Sequence, residues 1–227
     1  MKKHILCSLF ILTALIGNAQ ETFINYNSDK YFFEGKDLFA QQKFASSLLC
    51  FEKFLEEQKN ANADIRQEAE FYTASVAYEL RKDNATEKLE SYLAKYPYTQ
   101  FEDKIYLMLG NIAFETRRFN LAIKNYEKIN KKHISKTENI EASFNQGYAY
   151  IETAEYAKAK PLFKSIKGKK TRYDVAATYY ASYADYCLKN YDAALDGFLL
   201  IEDSPEFSSF VPYYIVQIYY FKKEYDK

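Results

Sequence analysis

The side chains most often used for acid–base or metal chemistry are scarce in this sequence. Of its two histidines, His4 lies in an apolar N-terminal stretch and His133 in the basic turn "NKKHISK". A catalytic triad or a histidine metal cluster needs several such groups held together. Carboxylate pairs such as Glu68 and Glu70 lie among Lys, Arg and Gln, as on solvated helix faces, and no phosphate-cradling glycine loop occurs. We therefore expect no enzyme, no cofactor and no metal.

Aromatic side chains are instead the unusual feature of the composition. The chain has 23 Tyr and 18 Phe but no Trp, within a globular balance of 48% hydrophobic and 27% charged residues. Most of these rings therefore carry a hydroxyl beside a large apolar surface. The formal net charge is zero and the charges are interspersed, without the basic stripe that nucleic acids or anionic lipids require. The composition favours neither of these partners.

The first twenty residues differ from the rest. Lys2 and Lys3 precede an apolar run over 5–16, and small residues follow up to Ala19. This order is typical of a secretory signal peptide, and the run is shorter than the roughly 20 residues of a membrane-spanning helix. We predict a signal peptide over 1–19, removed after Ala19, and no stable membrane insertion afterwards. A retained anchor is the alternative, and lipid attachment at Cys7 is disfavoured because that residue comes too early.

Two cysteines remain after this removal. Cys50 and Cys187 each lie in an amphipathic stretch, far apart in the sequence. We predict that both are structural thiols, since a buried free cysteine behaves as a small hydrophobe. Export permits a disulfide between them, which is the alternative.

A short motif recurs along the chain: an aromatic residue, two further residues and then a small residue. Its spacing is near 35 residues, and the second copy is degenerate, with Ala85 in the aromatic position. The copies are "FASS" at Phe44, "FNLA" at Phe119, "YAKA" at Tyr156 and "YDAA" at Tyr191, with "EYDK" at Tyr225 beginning one more. A fixed spacing of this length indicates a repeat architecture.

Each repeat is predicted to be a helical hairpin. In "DKIYLMLGNIAFETRRFNLAIKNYEKI" the apolar residues recur with a period near 3.6, are interrupted at "RRFN", and then resume. The small Ala122 lets the second helix approach the first, while Phe119 and Tyr126 fill the space beside it. Gly110 and Gly147 are expected to allow the same close contact from the first helix.

These positions together resemble the tetratricopeptide repeat (TPR) family, whose unit is a helical hairpin of about 34 residues. The resemblance implies an all-α, right-handed superhelical solenoid of antiparallel helix pairs over 20–227. The family's usual tryptophan is replaced and its closing proline is mostly absent. The implied repeats are 28–61, 68–101, 103–136, 140–173 and 175–208, plus an incomplete sixth from 209, which leads us to expect further chain beyond residue 227.

One junction between repeats carries a finer resemblance. The stretch "KYPYTQFEDKIYLMLG", with Tyr96, Pro97, Thr99 and Gly110, is similar to junctions in exported TPR proteins of the bacterial envelope. Together with the predicted signal peptide, it leads us to expect an exported protein of the periplasm or associated with the outer membrane.

The resemblance also implies a partner-binding surface, because TPR arrays usually hold a protein or peptide in a concave groove. Tyrosine suits such a groove, since it offers contact area and a hydrogen-bonding end. We predict a non-catalytic scaffold for a protein or peptide partner. One alternative is a glycan-binding surface protein, and another is self-association through the open C-terminal helix; the rings could also merely pack. The predicted groove residues are Phe144, Tyr148, Tyr179, Tyr183, Tyr186 and Tyr213.

Overall fold

The structure, a computed structural model, describes residues 29–59 and 61–226. The predicted signal peptide over 1–19 lies outside the described residues. Within them the only regular elements are eleven α-helices, and none of these helices is long and apolar enough to cross a membrane.

The helices fall into two compact units, one ending at Thr99 and the other starting at Gln100. The first unit contains α1 (Lys30–Ala40), α2 (Phe44–Glu57), α3 (Ala63–Glu79) and α4 (Ala85–Lys95). The second unit contains α5 (Glu102–Glu115), α6 (Phe119–Tyr126), α7 (Lys136–Glu152), α8 (Tyr156–Lys164), α9 (Asp174–Cys187), α10 (Tyr191–Leu199) and α11 (Val211–Lys222).

Consecutive helices form hairpins. The pairs α1 and α2, α3 and α4, α5 and α6, α7 and α8, and α9 and α10 each pack together, and within each unit every hairpin also packs against the next helix. The prediction of an all-α array of helix pairs is confirmed. The recurring motif begins the second helix of every hairpin, at Phe44, Ala85, Phe119, Tyr156 and Tyr191.

The first helix of every hairpin ends in the same way. A residue with a positive φ follows the last turn, and the amides of this residue and of the next one bond back to carbonyls of that turn, as in a Schellman motif. At the end of α5, for example, the amide of Arg117 bonds to the carbonyl of Phe114 and that of Arg118 to the carbonyl of Ala113. The left-handed residues are Gln42, Arg81, Arg117, Ala154, Lys189 and Lys223. Because α11 also ends in this way, it has the form of a first helix.

Small residues on the first helices receive large rings from the second helices. A Cβ atom added to Gly110 would lie 2.6 Å from Cε1 of Tyr126, and one added to Gly147 would lie 2.8 Å from Cζ of Phe163. Both rings are fully buried. The prediction that these glycines allow close helix contact is therefore confirmed.

Neither cysteine is part of a disulfide. The Cys50 and Cys187 thiols are both free and half-buried.

Candidate functional site

The predicted groove residue Phe144 lies in a cluster of four rings. Its centroid is 5.7 Å from that of Phe163 on the same hairpin, 4.7 Å from that of Tyr173 and 6.0 Å from that of Tyr180. Tyr173 immediately precedes α9 and Tyr180 lies on it. The ring of Phe144 is half-buried and joins its own hairpin to the next one.

Tyr179 occupies the equivalent place one hairpin later. Its ring stacks on Phe207 at 4.4 Å and lies 6.0 Å from Phe198 and 6.4 Å from Tyr214. The arrangement repeats that around Phe144, with Phe207 in the place of Tyr173. Burial raises the pKa of Tyr179 above its ordinary value, and a hydrogen bond with Tyr214 raises it further. These contacts place the ring of Tyr179, a residue of α9, against α11 and the turn before it.

A second set of tyrosines, outside the six predicted groove residues, stacks one hairpin on another. Each stands at the same offset before the left-handed residue of its own first helix and lies against the buried phenylalanine of the preceding hairpin. The stacked pairs are Tyr72 on Phe51 at 5.0 Å, Tyr180 on Phe163 at 5.5 Å and Tyr214 on Phe198 at 5.2 Å. Turns of unequal length separate the two partners, so no constant sequence spacing marks them. A count back along each first helix from its left-handed residue would have identified these tyrosines.

Tyr148 and Tyr183 are equivalent residues of α7 and α9. Tyr148 makes edge contacts with Phe114 and Tyr180, and burial, followed by a hydrogen bond with Glu152, raises its pKa to about 12. Burial also raises the pKa of Tyr183, followed by a hydrogen bond with the Cys187 thiol. Both hydroxyls are therefore protonated at neutral pH and can donate a hydrogen bond.

Tyr186 and Tyr213 complete the predicted set and differ in exposure. The half-buried Tyr186 donates its hydroxyl to Oε1 of Gln217 on α11 and packs its ring against Tyr214. Tyr213, with 63% of its surface exposed, makes an edge contact only with its neighbour Tyr214 among the described rings. The structure therefore joins Tyr179, Tyr183 and Tyr186 around Tyr214 and leaves Tyr213 open to solvent.

Tyr213 belongs to a larger exposed apolar face of the last helix. Residues three or four apart share one side of a helix, and four such residues here are large, apolar and more than half exposed: Phe210, Tyr213, Val216 and Tyr220. The opposite side of α11 carries the buried Val211, Ile215 and Ile218. We call the first set the α11 face. Contiguous exposed apolar surface of this kind is typical of an interaction site.

His133, the one histidine in the described residues, has a structural environment. Its Nδ1 lies 2.7 Å from Oδ2 of Asp103, whose other oxygen accepts the backbone amide of Asn130. These contacts fasten the turn after α6 to the start of α5. In the described part of the chain, no group of three or more His, Cys, Asp or Glu residues could hold a metal ion.

Solved structures with the same arrangement of helices are known. MamA in the form designated AMB-1 superposes with a TM-score of 0.61 at 17% identity, over 80% of this chain and 93% of that one. MamA of MSR-1 gives 0.57 at 18% identity, over 80% and 98%. YrrB, described as "a TPR protein with an unusual peptide-binding site", gives 0.57 at 17% identity, over 81% and 89%. This chain has a TPR fold.

The TPR fold explains the recurring contacts. In TPR terms, Gly35, Gly110 and Gly147 occupy the small eighth position, and Phe51, Tyr126 and Phe163 occupy the aromatic twenty-fourth position that packs on it. No protein-family model matches the sequence, and no curated protein matches it either. The likeness is thus one of fold.

Proposed function

We propose that the protein is a non-catalytic scaffold of the bacterial cell envelope that binds a protein or peptide through the aromatic surface of its second unit. The binding residues in this proposal are the exposed Tyr213 and the half-buried rings of Phe144, Tyr148, Tyr179, Tyr183 and Tyr186.

The α11 face is the observation that carries this proposal. Its four large side chains lie exposed on the side of α11 opposite the buried residues. Binding energy at interfaces concentrates in clusters of aromatic anchors, which exclude water when a partner covers them. The hydroxyls of Tyr213 and Tyr220 add hydrogen-bonding groups, so the α11 face suits a polypeptide better than a purely apolar ligand.

YrrB supports the choice of ligand class by analogy of fold, since it is described as having a peptide-binding site. A fold of stacked hairpins offers an extended lateral surface that can hold an extended chain. The aromatic surface of this chain would serve that purpose with tyrosine in place of charged residues.

Binding can be tested with two exposed tyrosines. We expect Tyr213→Ala combined with Tyr220→Ala to abolish retention of an envelope protein by the immobilised chain, while its helical circular dichroism stays unchanged. Tyr98→Ala is the matched control, because Tyr98 is 97% exposed and lies in the first unit. If the double variant retains the same proteins as the parent, the α11 face is not the binding surface.

The envelope location rests on the N-terminal segment. Expression of the full chain in a bacterium, followed by cell fractionation and mass measurement, should yield a protein outside the cytoplasm that begins at Gln20. A cytoplasmic protein that retains Met1 or Lys2 would contradict this part of the proposal.

Self-association is a second use that the α11 face favours. A first helix normally packs against the second helix of its hairpin, and in this chain Val216 stands exposed at a position that is small and covered in most other hairpins. We expect sedimentation of the parent to depend on concentration and Val216→Lys to remove that dependence. A parent that sediments as a monomer at all concentrations would contradict self-association and leave partner binding as the only proposed use of the α11 face.

A further inference from the structure

A cavity in the second unit lies apart from the aromatic surface. It has a volume of about 300 Å³ and is formed by the start of α7, the end of α8 and the turns that precede and follow them. Its polar lining consists of Lys131, Lys136, Lys169, Asn139, Ser143 and Ser165. Lys131 lies in the turn before α7, Lys136 is the first residue of α7, and Lys169 lies in the turn after α8, so only the packing of α7 on α8 brings them together.

The charge of this cavity is unbalanced. Three lysines line it, whereas no carboxylate does. Within the described residues none of the three forms an ion pair, whereas six other lysines do, such as Lys36 with Glu68 and Lys95 with Glu70. Three unpaired cations around one cavity create a positive potential that favours an anion.

Of the three lysines, Lys131 is the least exposed to solvent. It is half-buried, and burial lowers its pKa below the ordinary value of a lysine. Its Nζ donates a hydrogen bond to Oγ of the buried Ser143 at 3.0 Å, and that hydroxyl donates in turn to Oδ1 of Asn139 at 3.2 Å. A half-buried ammonium held only by neutral groups loses part of its hydration, and an anion beside it would offset this cost.

The remaining wall of the cavity is apolar. Ile140 and Leu162 are half-buried and Ile166 is fully buried, and all three line the cavity beside the lysines. A free inorganic ion would leave the half-buried Ile140 and Leu162 side chains in contact with water. A ligand with an apolar body next to its charge would cover it.

We propose that this cavity binds an oxyanion, a phosphate or a carboxylate, carried on an apolar group. Lys131 and Lys169 contact the oxyanion, Ser143 and Asn139 hold Lys131 in place, and the isoleucine and leucine side chains pack on the apolar part. The site is independent of the proposed aromatic binding surface.

The test is titration of the whole mature chain with four small probes at constant ionic strength and neutral pH. Phenyl phosphate and phenylacetate carry the two oxyanions on the same ring, inorganic phosphate lacks the ring, and benzyl alcohol lacks the charge. The Nζ and Cε resonances of Lys131 report binding directly in the unmodified protein. We expect saturable shifts with phenyl phosphate or phenylacetate, several-fold weaker binding of inorganic phosphate, and no binding of benzyl alcohol. The ring-bearing anion that binds more tightly shows whether the natural oxyanion is a phosphate or a carboxylate.

Matched variants separate this site from general surface charge. Lys131→Gln with Lys169→Gln should weaken binding of the better probe at least about tenfold, the equivalent of one charge-assisted contact. Lys104→Gln with Lys124→Gln removes the same charge from exposed positions of α5 and α6 and should leave the affinity unchanged. Equal losses in both variants, absence of saturation with every anion, or binding of benzyl alcohol as tight as that of the anions would each overturn the proposal.

Discussion

At the residue scale, the fold depends on glycines that leave room for a ring. A Cβ atom at Gly35 would lie 2.9 Å from Cε1 of Phe51, and the spaces at Gly110 and Gly147 are tighter still. A glycine inside a helix costs about 1 kcal/mol relative to alanine. The cost is offset because the buried ring of the second helix fills the space.

Gly110→Ala is predicted to destabilise the protein, although alanine is the better helix former. The added methyl group would overlap the Tyr126 ring, and overpacking of this kind costs about 1–3 kcal/mol, more than the helix propensity returns. Urea unfolding should show the loss. The same change in a Tyr126→Leu background should cost less, because the flat ring is gone. An equal cost in both backgrounds would mean that the ring contact is not the cause.

At the element scale, the first helices of the hairpins share a C-terminal conformation that their residue types do not predict. Six residues in the left-handed region end six first helices, and none of them is glycine. A residue with a side chain is strained in this conformation, whereas glycine adopts it readily. In four of the hairpins this residue lies two positions before the second helix, at Phe44, Phe119, Tyr156 and Tyr191, so the strained conformation starts the turn into that helix.

Lys189→Gly is therefore predicted to stabilise the protein by about 0.5–1 kcal/mol, the usual gain from glycine at a left-handed position less its entropy cost. Lys189 has a φ of 61° and is exposed, so no packing is lost. Thermal unfolding measures the change. Lys124→Gly, in the last turn of α6, is the control and should destabilise by up to about 1 kcal/mol. A loss of stability at both positions would contradict the prediction.

At the scale of the whole molecule, tyrosines that pack between hairpins tie stability to alkaline pH. Tyr148, Tyr150, Tyr179 and Tyr183 all have a raised pKa, mainly through burial. Their neutral forms are thus favoured by folding, and the contribution is fully present below the ordinary tyrosine pKa of 10.0. The lysines paired with Glu68 and Glu70 act in the same direction, since pairing raises the pKa of Lys36 and Lys95.

The free energy of unfolding is therefore predicted to fall as the pH rises above 10, the ordinary pKa of these groups. For Tyr148 the contribution is lost progressively up to its folded pKa of about 12. Urea unfolding at a series of alkaline pH values, with absorbance of the tyrosinate form recorded in parallel, checks this. Tyr148→Phe removes one of the titrating groups and should make the decline shallower. A free energy that stays constant across this range would contradict it.

The sequence by itself determined the class of fold and its repeat, because both follow from local spacing. The motif at Phe44, Phe119, Tyr156 and Tyr191 marks the start of each second helix, and the glycines mark the contact between helices. These signals lie within one hairpin, at distances set by the helical period. They could be read without knowing how one hairpin packs on another.

The tertiary structure decided which rings meet and which stay open. Tyr72, Tyr180 and Tyr214 stack on the preceding hairpin across turns of unequal length, so their partners had no fixed sequence distance. For the same reason, the packing of Tyr179 on Phe207 was not foreseen. The cavity of Lys131 and Lys169 also arises from tertiary packing. The net charge of the chain is zero, and only the packing of the helices brings unpaired cations together at one place.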